Sequence, residues 1–197
     1  MRKFWHYVLE ALLIVFSVLF ALYIVHYVED LKTQERKQQA GGRIRVELAR
    51  NSKVLADWIP KHEATYQLLY RSSLANNDSL KKILLMYNHF NISVLTKQES
   101  IVNTILTTTA WETAKSTQIA SEFDLELMEY LTQVYALQSL IMDKTLQDII
   151  GVYLDRDSHD LGKVDATLKQ FEIRYQDLIG QEKILASAYN DVLTKLY

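Results

Sequence analysis

The chain has 197 residues, of which 49% are hydrophobic, and its formal net charge at pH 7 is −2. Such a small charge gives no field strong enough to attract nucleic acid, and the absence of cysteine excludes disulfides, zinc thiolate sites and thiol catalysis. Five glycines and one proline are few for this length, which favours long helices over a fold rich in tight turns.

The first predicted element is an apolar membrane span centred on residues 11–25, where Ser17 is the only strongly polar residue. From Trp5 to Tyr27 there are 22 helical steps, roughly 33 Å, which matches a hydrocarbon layer of about 30 Å. No pair of small residues suitable for signal cleavage follows the apolar run, so we expect the segment to be retained. The residues predicted to lie at the two membrane interfaces are Arg2, Lys3, Trp5, Tyr7, Tyr23 and Tyr27.

Glu10 is an acid within this predicted span, about five residues or roughly 7.5 Å inward of Trp5. Its cost of at most about 3.5 kcal/mol is exceeded by the insertion energy of the surrounding Leu, Ile, Val and Phe side chains. Two functional interpretations are a contact with a partner helix and a proton-handling group. The alternative is an interfacial acid that extends its side chain towards water.

The predicted orientation places the amino terminus in the cytoplasm and the body in the periplasm or outside the cell. Arg2 and Lys3 favour this orientation, whereas five Lys or Arg residues between positions 32 and 45 favour the opposite one. We give the short basic head more weight because long domains are translocated largely regardless of their charge.

The sequence divides into an anchor at 1–30, a polar linker at 31–42 and a helical domain at 43–197. Gly41-Gly42 in the linker is typical of a kink or hinge. In the domain, apolar spacing predicts one helix from Arg43 until Pro60 interrupts it and a second from Tyr66 to Leu74. A third is expected at 80–90, capped by Ser79, and a fourth from 101 onward, because Thr96 to Glu99 has the form of a capping box.

Further along, residues 107–124 predict a connector with one or two helical turns, in which Trp111 is a candidate packing anchor. Ser121 is the expected cap of a long helix that runs to about Tyr153, and the polar run 155–160 ends it. A last helix is predicted from Val164 almost to the carboxyl end. No strand-like alternation occurs, so the predicted fold class is all-α: a single N-terminal transmembrane helix followed by an antiparallel helical bundle.

The sequence does not contain the motifs that common catalytic and metal-binding sites require. Residues 155–160 resemble the start of a calcium loop, but the glycine and the bidentate glutamate of such a loop are missing. The five histidines include no pair at metal-ligand helical spacing, and the sequence has neither a nucleophile elbow nor a phosphate-binding glycine loop. We therefore expect no catalytic residue, no cofactor and no metal.

Two segments carry a resemblance to a family of proteins. The span from Glu10 to Ile24 has the form E-x-x-L-I-V-x-x-x-L-x-A-L-x-I, and residues 107–112 have the form T-x-x-A-W-E. In this order they resemble a family of uncharacterised bacterial membrane-anchored helical proteins, although His26-Tyr27 replaces the acid and the Asn-Trp pair that often follow such a span. The resemblance implies a bacterial inner-membrane protein with Glu10 and Trp111 as residues to test, and it implies no activity.

Three classes of function remain open at this point. The favoured one is a non-catalytic, membrane-anchored scaffold or accessory subunit, whose partners are the lipid bilayer and either a membrane protein or further copies of the chain. The second is a ligand-sensing domain, which would need a separate output partner because only a few residues precede the span. The third is an oligomeric proton or ion path lined by Glu10.

Overall fold

The computed structural model describes residues 2–74, 82–84 and 90–196, and these residues form helices and turns without a strand. The five α-helices pack together and confirm the all-helical fold class. Short 3-10 turns occur at Ile92–Val94, Ile119–Glu122, Arg156–His159 and Leu161–Lys163. The helices are α1 (Arg2–Leu74), α2 (Thr109–Ser116), α3 (Leu125–Ser139), α4 (Leu146–Leu154) and α5 (Val164–Lys195).

The core is built mainly along the contact between α1 and α5, and both helices follow a heptad pattern. Buried positions recur at alternating steps of four and three residues on α1, and at steps of three and four on α5. This spacing is that of the seam of a coiled coil, in which side chains of one helix insert between those of the other. The seam residues of α1 are Ile44, Leu48, Asn51, Leu55, Trp58, His62, Thr65, Leu69 and Ser72. Those of α5 begin at Leu168 and continue through Phe171, Tyr175, Leu178, Glu182, Leu185, Tyr189, Val192 and Leu196.

Helix α1 is continuous where the sequence predicted two helices separated at Pro60, so that prediction is wrong. Proline in a helix interior costs about 3 kcal/mol because it removes one hydrogen bond and crowds the preceding turn. Trp58 and His62 are buried on either side of Pro60, and their packing outweighs this cost. The helix also runs through Gly41-Gly42, where a hinge was predicted, and an added Cβ at either position would meet no atom closer than 3.8 Å.

The fourth predicted helix does not form. Residues 99–108 contain no helix, and Lys97 and Gln98 before them have positive φ values of 54° and 66°. The Thr96 hydroxyl donates to the Glu99 carbonyl oxygen at 2.7 Å, whereas a capping box requires the side chain to accept from a backbone N–H. This motif therefore closes a turn and does not start a helix. The third predicted helix, at 80–90, and its cap Ser79 lie almost entirely outside the described residues.

The long helix predicted after Ser121 exists, but it starts later than predicted. Its cap is Asp124, whose carboxylate accepts from the Leu127 N–H at 2.9 Å, and Leu125 and Met128 at its start are exposed. A π-helical segment, Leu140–Thr145, joins α3 to α4 and turns the buried face. The break after Leu154 and the last helix from Val164 agree with the sequence prediction.

We expect Pro60→Ala to stabilise the chain, because alanine restores the missing helical hydrogen bond and Pro60 itself is exposed. The free energy of unfolding should rise by about 1 to 3 kcal/mol. It can be measured by denaturant titration in detergent with tryptophan fluorescence. A loss of stability would instead show that the body is packed around a bend at this proline.

Candidate functional site

The apolar part of α1 makes no contact with the body. The helix is long and apolar enough to cross a membrane, and no part of its apolar stretch is buried. The first residue of α1 that lines a cleft with the body is Arg36, and the first buried one is Ile44, so the helix projects from the body for about 34 residues, or roughly 51 Å. The chain therefore carries one long apolar N-terminal helix that could span a membrane.

The predicted interface residues lie at the two ends of the apolar stretch. Trp5 and Tyr7 are exposed near its start, and Tyr23 and Tyr27 are exposed and stacked on each other at a ring separation of 6.5 Å. The side chains of Arg2 and Lys3 lie outside the described residues. The contact of these interface residues with lipid stays a prediction.

Glu10 is exposed, and it shares one helix face with two small residues. Ser17 and Ala21 follow Glu10 by seven and eleven residues, which places all three on the same side of α1. The Ser17 hydroxyl donates to the Leu13 carbonyl oxygen of its own helix at 2.7 Å. Its polar demand is therefore met without a partner, and Glu10 is the group on this face that gains most from one.

In the body, the polar side chains of α1 hold residues 101–110, which are non-helical up to Thr108, along the helix. His62 Nε2 contacts the Ile101 carbonyl oxygen at 2.8 Å, and Trp58 Nε1 donates to Asn103 Oδ1 at 3.3 Å. Asn51 accepts from the Thr107 N–H at 3.0 Å and donates to the Thr107 carbonyl oxygen at 2.8 Å. We call residues 101–110 the strap, because side chains from several turns of α1 form hydrogen bonds along its length.

Glu47, one turn before Asn51 on α1, binds the last residue of the strap. Its Oε2 accepts from the Ala110 N–H at 2.9 Å, at the start of α2, and its Oε1 accepts from the Tyr135 hydroxyl at 2.7 Å. Trp111, the candidate packing anchor, is 4% exposed and stacks on Tyr135 at a ring separation of 5.6 Å. Lys115 lies 5.6 Å from the centre of the Trp111 ring. The T-x-x-A-W-E segment is thus the end of the strap and the start of α2.

The network extends to α3 and α5 through Gln138. Its Oε1 accepts from Asn51 Nδ2 at 3.1 Å and from the Tyr189 hydroxyl at 2.6 Å, and its Nε2 donates to the Thr107 carbonyl oxygen at 3.1 Å. Asn51 and Gln138 are almost completely buried. Each of these polar atoms is hydrogen-bonded to another, as expected for polar groups buried in a core.

A second buried polar layer consists of His62 and Glu182. His62 Nδ1 lies 2.8 Å from Glu182 Oε1, and both side chains are nearly or completely buried. A carbonyl oxygen only accepts, so the contact with Ile101 places a proton on Nε2 and leaves the Nδ1 to Oε1 bond to share the second proton. Glu182 Oε2 and the Tyr175 hydroxyl have no hydrogen-bond partner among the described residues. Both ring nitrogens of His62 are thus bound within the body.

The sequence reasoning missed these polar positions, although a signal for them exists. Asn51 and His62 fall on the same four-three spacing as the apolar seam residues around them, and Glu182 fills the gap between Leu178 and Leu185. A heptad pattern continued through polar residues would have identified all three as buried. No group of three or more His, Asp or Glu side chains suited to a metal ion occurs within residues 2–74, 82–84 and 90–196.

Comparisons of the chain with protein-family models, curated proteins and solved structures give no match. The resemblance to a bacterial membrane-anchored family therefore stays a prediction from two sequence segments.

We expect Glu47→Ala to lower the free energy of unfolding by about 2 to 4 kcal/mol, because the Tyr135 hydroxyl and the Ala110 N–H would lose their acceptor in a buried site. Glu47→Gln should cost less, since its amide oxygen can still accept one of the two bonds. Glu129→Ala, an exposed glutamate of α3, is the matched control and should change stability by less than about 0.5 kcal/mol. Equal effects of Glu47→Ala and Glu129→Ala in denaturant titrations would contradict this role.

Three buried tyrosines make the body sensitive to alkali. Burial raises the pKa of Tyr135, Tyr175 and Tyr189 well above the usual value of 10.0, and nearby carboxylates add to the shift. A raised folded-state pKa means that the folded chain keeps protons which the unfolded chain releases, so stability is complete below pH 10 and falls above it.

The expected loss is up to about 1.4 kcal/mol per pH unit for each buried tyrosine. Tyr135→Phe should reduce the slope of the free energy of unfolding against pH by the contribution of one proton. Denaturant titrations between pH 9 and pH 11.5 test this expectation, and a free energy of unfolding that stays constant over that range would contradict it.

Proposed function

We propose that the chain is a non-catalytic, single-pass membrane protein whose body, an antiparallel helical bundle, acts as a scaffold or accessory subunit of a membrane protein complex. The observation that carries this proposal is the apolar stretch of α1, which is exposed on all sides within the chain. Eleven Leu, Ile, Val and Phe side chains lie between Ala11 and Val25. At roughly 1.5 to 3 kcal/mol for each, their exposure to water would cost more than about 15 kcal/mol, as much as a whole domain gains on folding.

Lipid is the environment that removes this cost for every face of the helix at once. A core helix of a water-soluble body would be mostly buried, and this stretch is not. A cleaved signal sequence is also disfavoured, because α1 continues as helix from the apolar stretch into the core and the residues after the stretch lack the small-residue cleavage pattern. The retained span and the body then form one continuous element.

The antiparallel arrangement is supported by the order of contacts along the seam. His62 meets Glu182, whereas Asn51, eleven residues earlier on α1, reaches Tyr189, seven residues later on α5, through Gln138. Glu63 also pairs with Lys183 at 2.6 Å. Earlier positions on α1 thus oppose later positions on α5, as expected for neighbouring antiparallel helices.

The location that we propose is the bacterial inner membrane, with the body on the periplasmic side. The basic residues Arg2 and Lys3 favour retention of the amino terminus in the cytoplasm, and a chain without cysteine is compatible with the periplasm. The partner is a membrane protein or further copies of this chain, contacted through the face that carries Glu10. Small residues at Ser17 and Ala21 would allow the backbone of a second helix to approach closely.

Co-purification from membranes in a mild detergent tests this function. A tagged wild-type chain should remain in the membrane after a carbonate wash and should retain a partner at fixed stoichiometry. Glu10→Gln and Glu10→Leu should weaken retention about three- to thirtyfold, which corresponds to the loss of one hydrogen bond between helices in lipid.

Leu19→Ala is the matched control, because Leu19 lies on the opposite face of α1 and should leave retention unchanged. Equal retention of the partner by the wild type, both Glu10 variants and the control would show that Glu10 is an interfacial acid that does not contact the partner. Release of the intact chain by carbonate without detergent would overturn the membrane anchor itself.

A further inference from the structure

A cleft of about 550 Å³ lies between α1 and α2, next to the buried network around Glu47. Its volume is within the range of small-molecule sites. The wall formed by α1 carries three arginines, Arg36, Arg43 and Arg50, and the opposite wall is formed mainly by the threonine-rich face of α2.

The three arginines are spaced by seven residues, so they follow one another along the same face of α1 at steps of about 10.5 Å. All three are exposed, and none of them forms a hydrogen bond or an ion pair with any described residue. Each guanidinium therefore has its fork of donors available for a ligand. An arginine fork matches the oxygen geometry of a phosphate group.

The position of Glu47 determines which two arginines can bind the same anion. Its carboxylate lines the cleft between Arg43 and Arg50 and is held in the wall by Tyr135 and Ala110, so it would repel an anion bound between these two arginines. Between Arg36 and Arg43, in contrast, the lining residues are Gln39 and Ala40, which carry no charge. Two arginine side chains about 10.5 Å apart at their backbones are long enough to meet on one group between them.

The opposite wall contributes shape more than hydrogen bonds. Thr113 and Thr117 donate their hydroxyl hydrogens to carbonyl oxygens within their own helix, at 2.7 Å each. The rest of the lining includes apolar side chains, among them Ala110, Ala114 and Ile119. A ligand that matches both walls has an anionic head for the arginines and an apolar part for α2.

We propose that the cleft is a binding site for a phosphate monoester with an apolar substituent, whose phosphate is held between Arg36 and Arg43. The amide N–H of Ala110, at the start of α2, is occupied by Glu47, so the two guanidinium groups are the main donors. This site belongs to the body and does not depend on the proposed scaffold function or on a membrane anchor.

The position of the cleft separates two sources of such a phosphate. If the span ends near Tyr27, Arg36 lies about 13 Å and Arg43 about 24 Å further along α1. The headgroup layer extends only about 5 to 8 Å beyond the hydrocarbon. A phosphate ester dissolved in water can reach both arginines, whereas a lipid headgroup would reach them only if α1 tilted towards the bilayer.

The test uses the full chain in nanodiscs of phosphatidylcholine, with phenyl phosphate as the probe and calorimetric titration as the readout. The wild type should bind the probe saturably, and Arg36→Gln and Arg43→Gln should each weaken binding at least about tenfold, as for the loss of a charged hydrogen bond. Arg50→Gln should weaken it only about two- to threefold, because this arginine acts through its charge at a distance. Phenol, which lacks the phosphate, should bind much more weakly than phenyl phosphate.

Lys53→Gln is the matched control, since it removes one positive charge from an exposed position of α1 outside the cleft. It should leave the affinity within about twofold of the wild type. The proposal is overturned if phenyl phosphate shows no saturable binding up to about 10 mM. It is also overturned if Lys53→Gln weakens binding as much as Arg43→Gln, because the effect would then be one of general charge.

Nanodiscs that contain phosphatidylglycerol distinguish the two sources. Competition by these lipids with the probe in the wild type would support a headgroup as the natural occupant. An unchanged affinity would support a dissolved phosphate ester. Both results retain the site, and both leave the co-purification test of the scaffold function unaffected.

Discussion

The body of this protein depends on matching buried polar groups across the seam between α1 and α5. His62 meets Glu182 in one layer, and Asn51 meets Gln138 and Tyr189 in another. An apolar seam alone would tolerate a slip by one heptad, because leucine packs acceptably against leucine. A slip of that kind would leave the Glu182 side chain, which is completely buried, without its hydrogen-bond partner, and an unpaired buried polar group costs about 1 to 3 kcal/mol. The polar layers therefore specify one register among several that hydrophobic packing would allow.

The same helix that carries the seam also carries the apolar stretch, and this continuity links the two parts of the chain. Within α1 the apolar stretch comes first, the arginine face begins at Arg36, and the heptad seam begins at Ile44 on another face, with no break in the helix between them. A helix is stiff over this length, so a rotation or tilt of the apolar stretch would move the cleft and the seam together. The strap strengthens this arrangement because five side chains of α1, from Glu47 to His62, bind its backbone or side chains.

The sequence predicted the elements that rest on apolar periodicity, and it failed where tertiary contacts override a local rule. The last helix and the all-helical class were predicted because the three-four spacing from Leu168 onward is clear. A helix break at Pro60 is predicted because proline destabilises a helix interior. The burial of the side chains on both sides of Pro60 depends on tertiary packing, which a local rule does not include. The Thr96 to Glu99 motif was read as a helix start, although the following backbone is bound by side chains of α1 and cannot form its own helical bonds. The apolar N-terminal segment could be located from composition alone, but the arginine cleft could not, because its second wall depends on where α2 packs.

The T-x-x-A-W-E segment shows how a distinctive sequence pattern can have a structural cause. Thr107 supplies the backbone groups that pair with Asn51, and Ala110 supplies the N–H that Glu47 accepts. Trp111 then fills the space beside Tyr135, so a small residue followed by a large aromatic one is what the packing of α2 on α1 and α3 requires. With its main-chain groups and its indole ring engaged inside the body, this part of the segment has little left to offer a partner. The groups that remain available on the same side of the body are the arginines of α1, which neither packing nor hydrogen bonding to the described residues accounts for. An exposed, unpaired charge contributes almost nothing to stability, so stability does not explain the regular spacing of these three arginines.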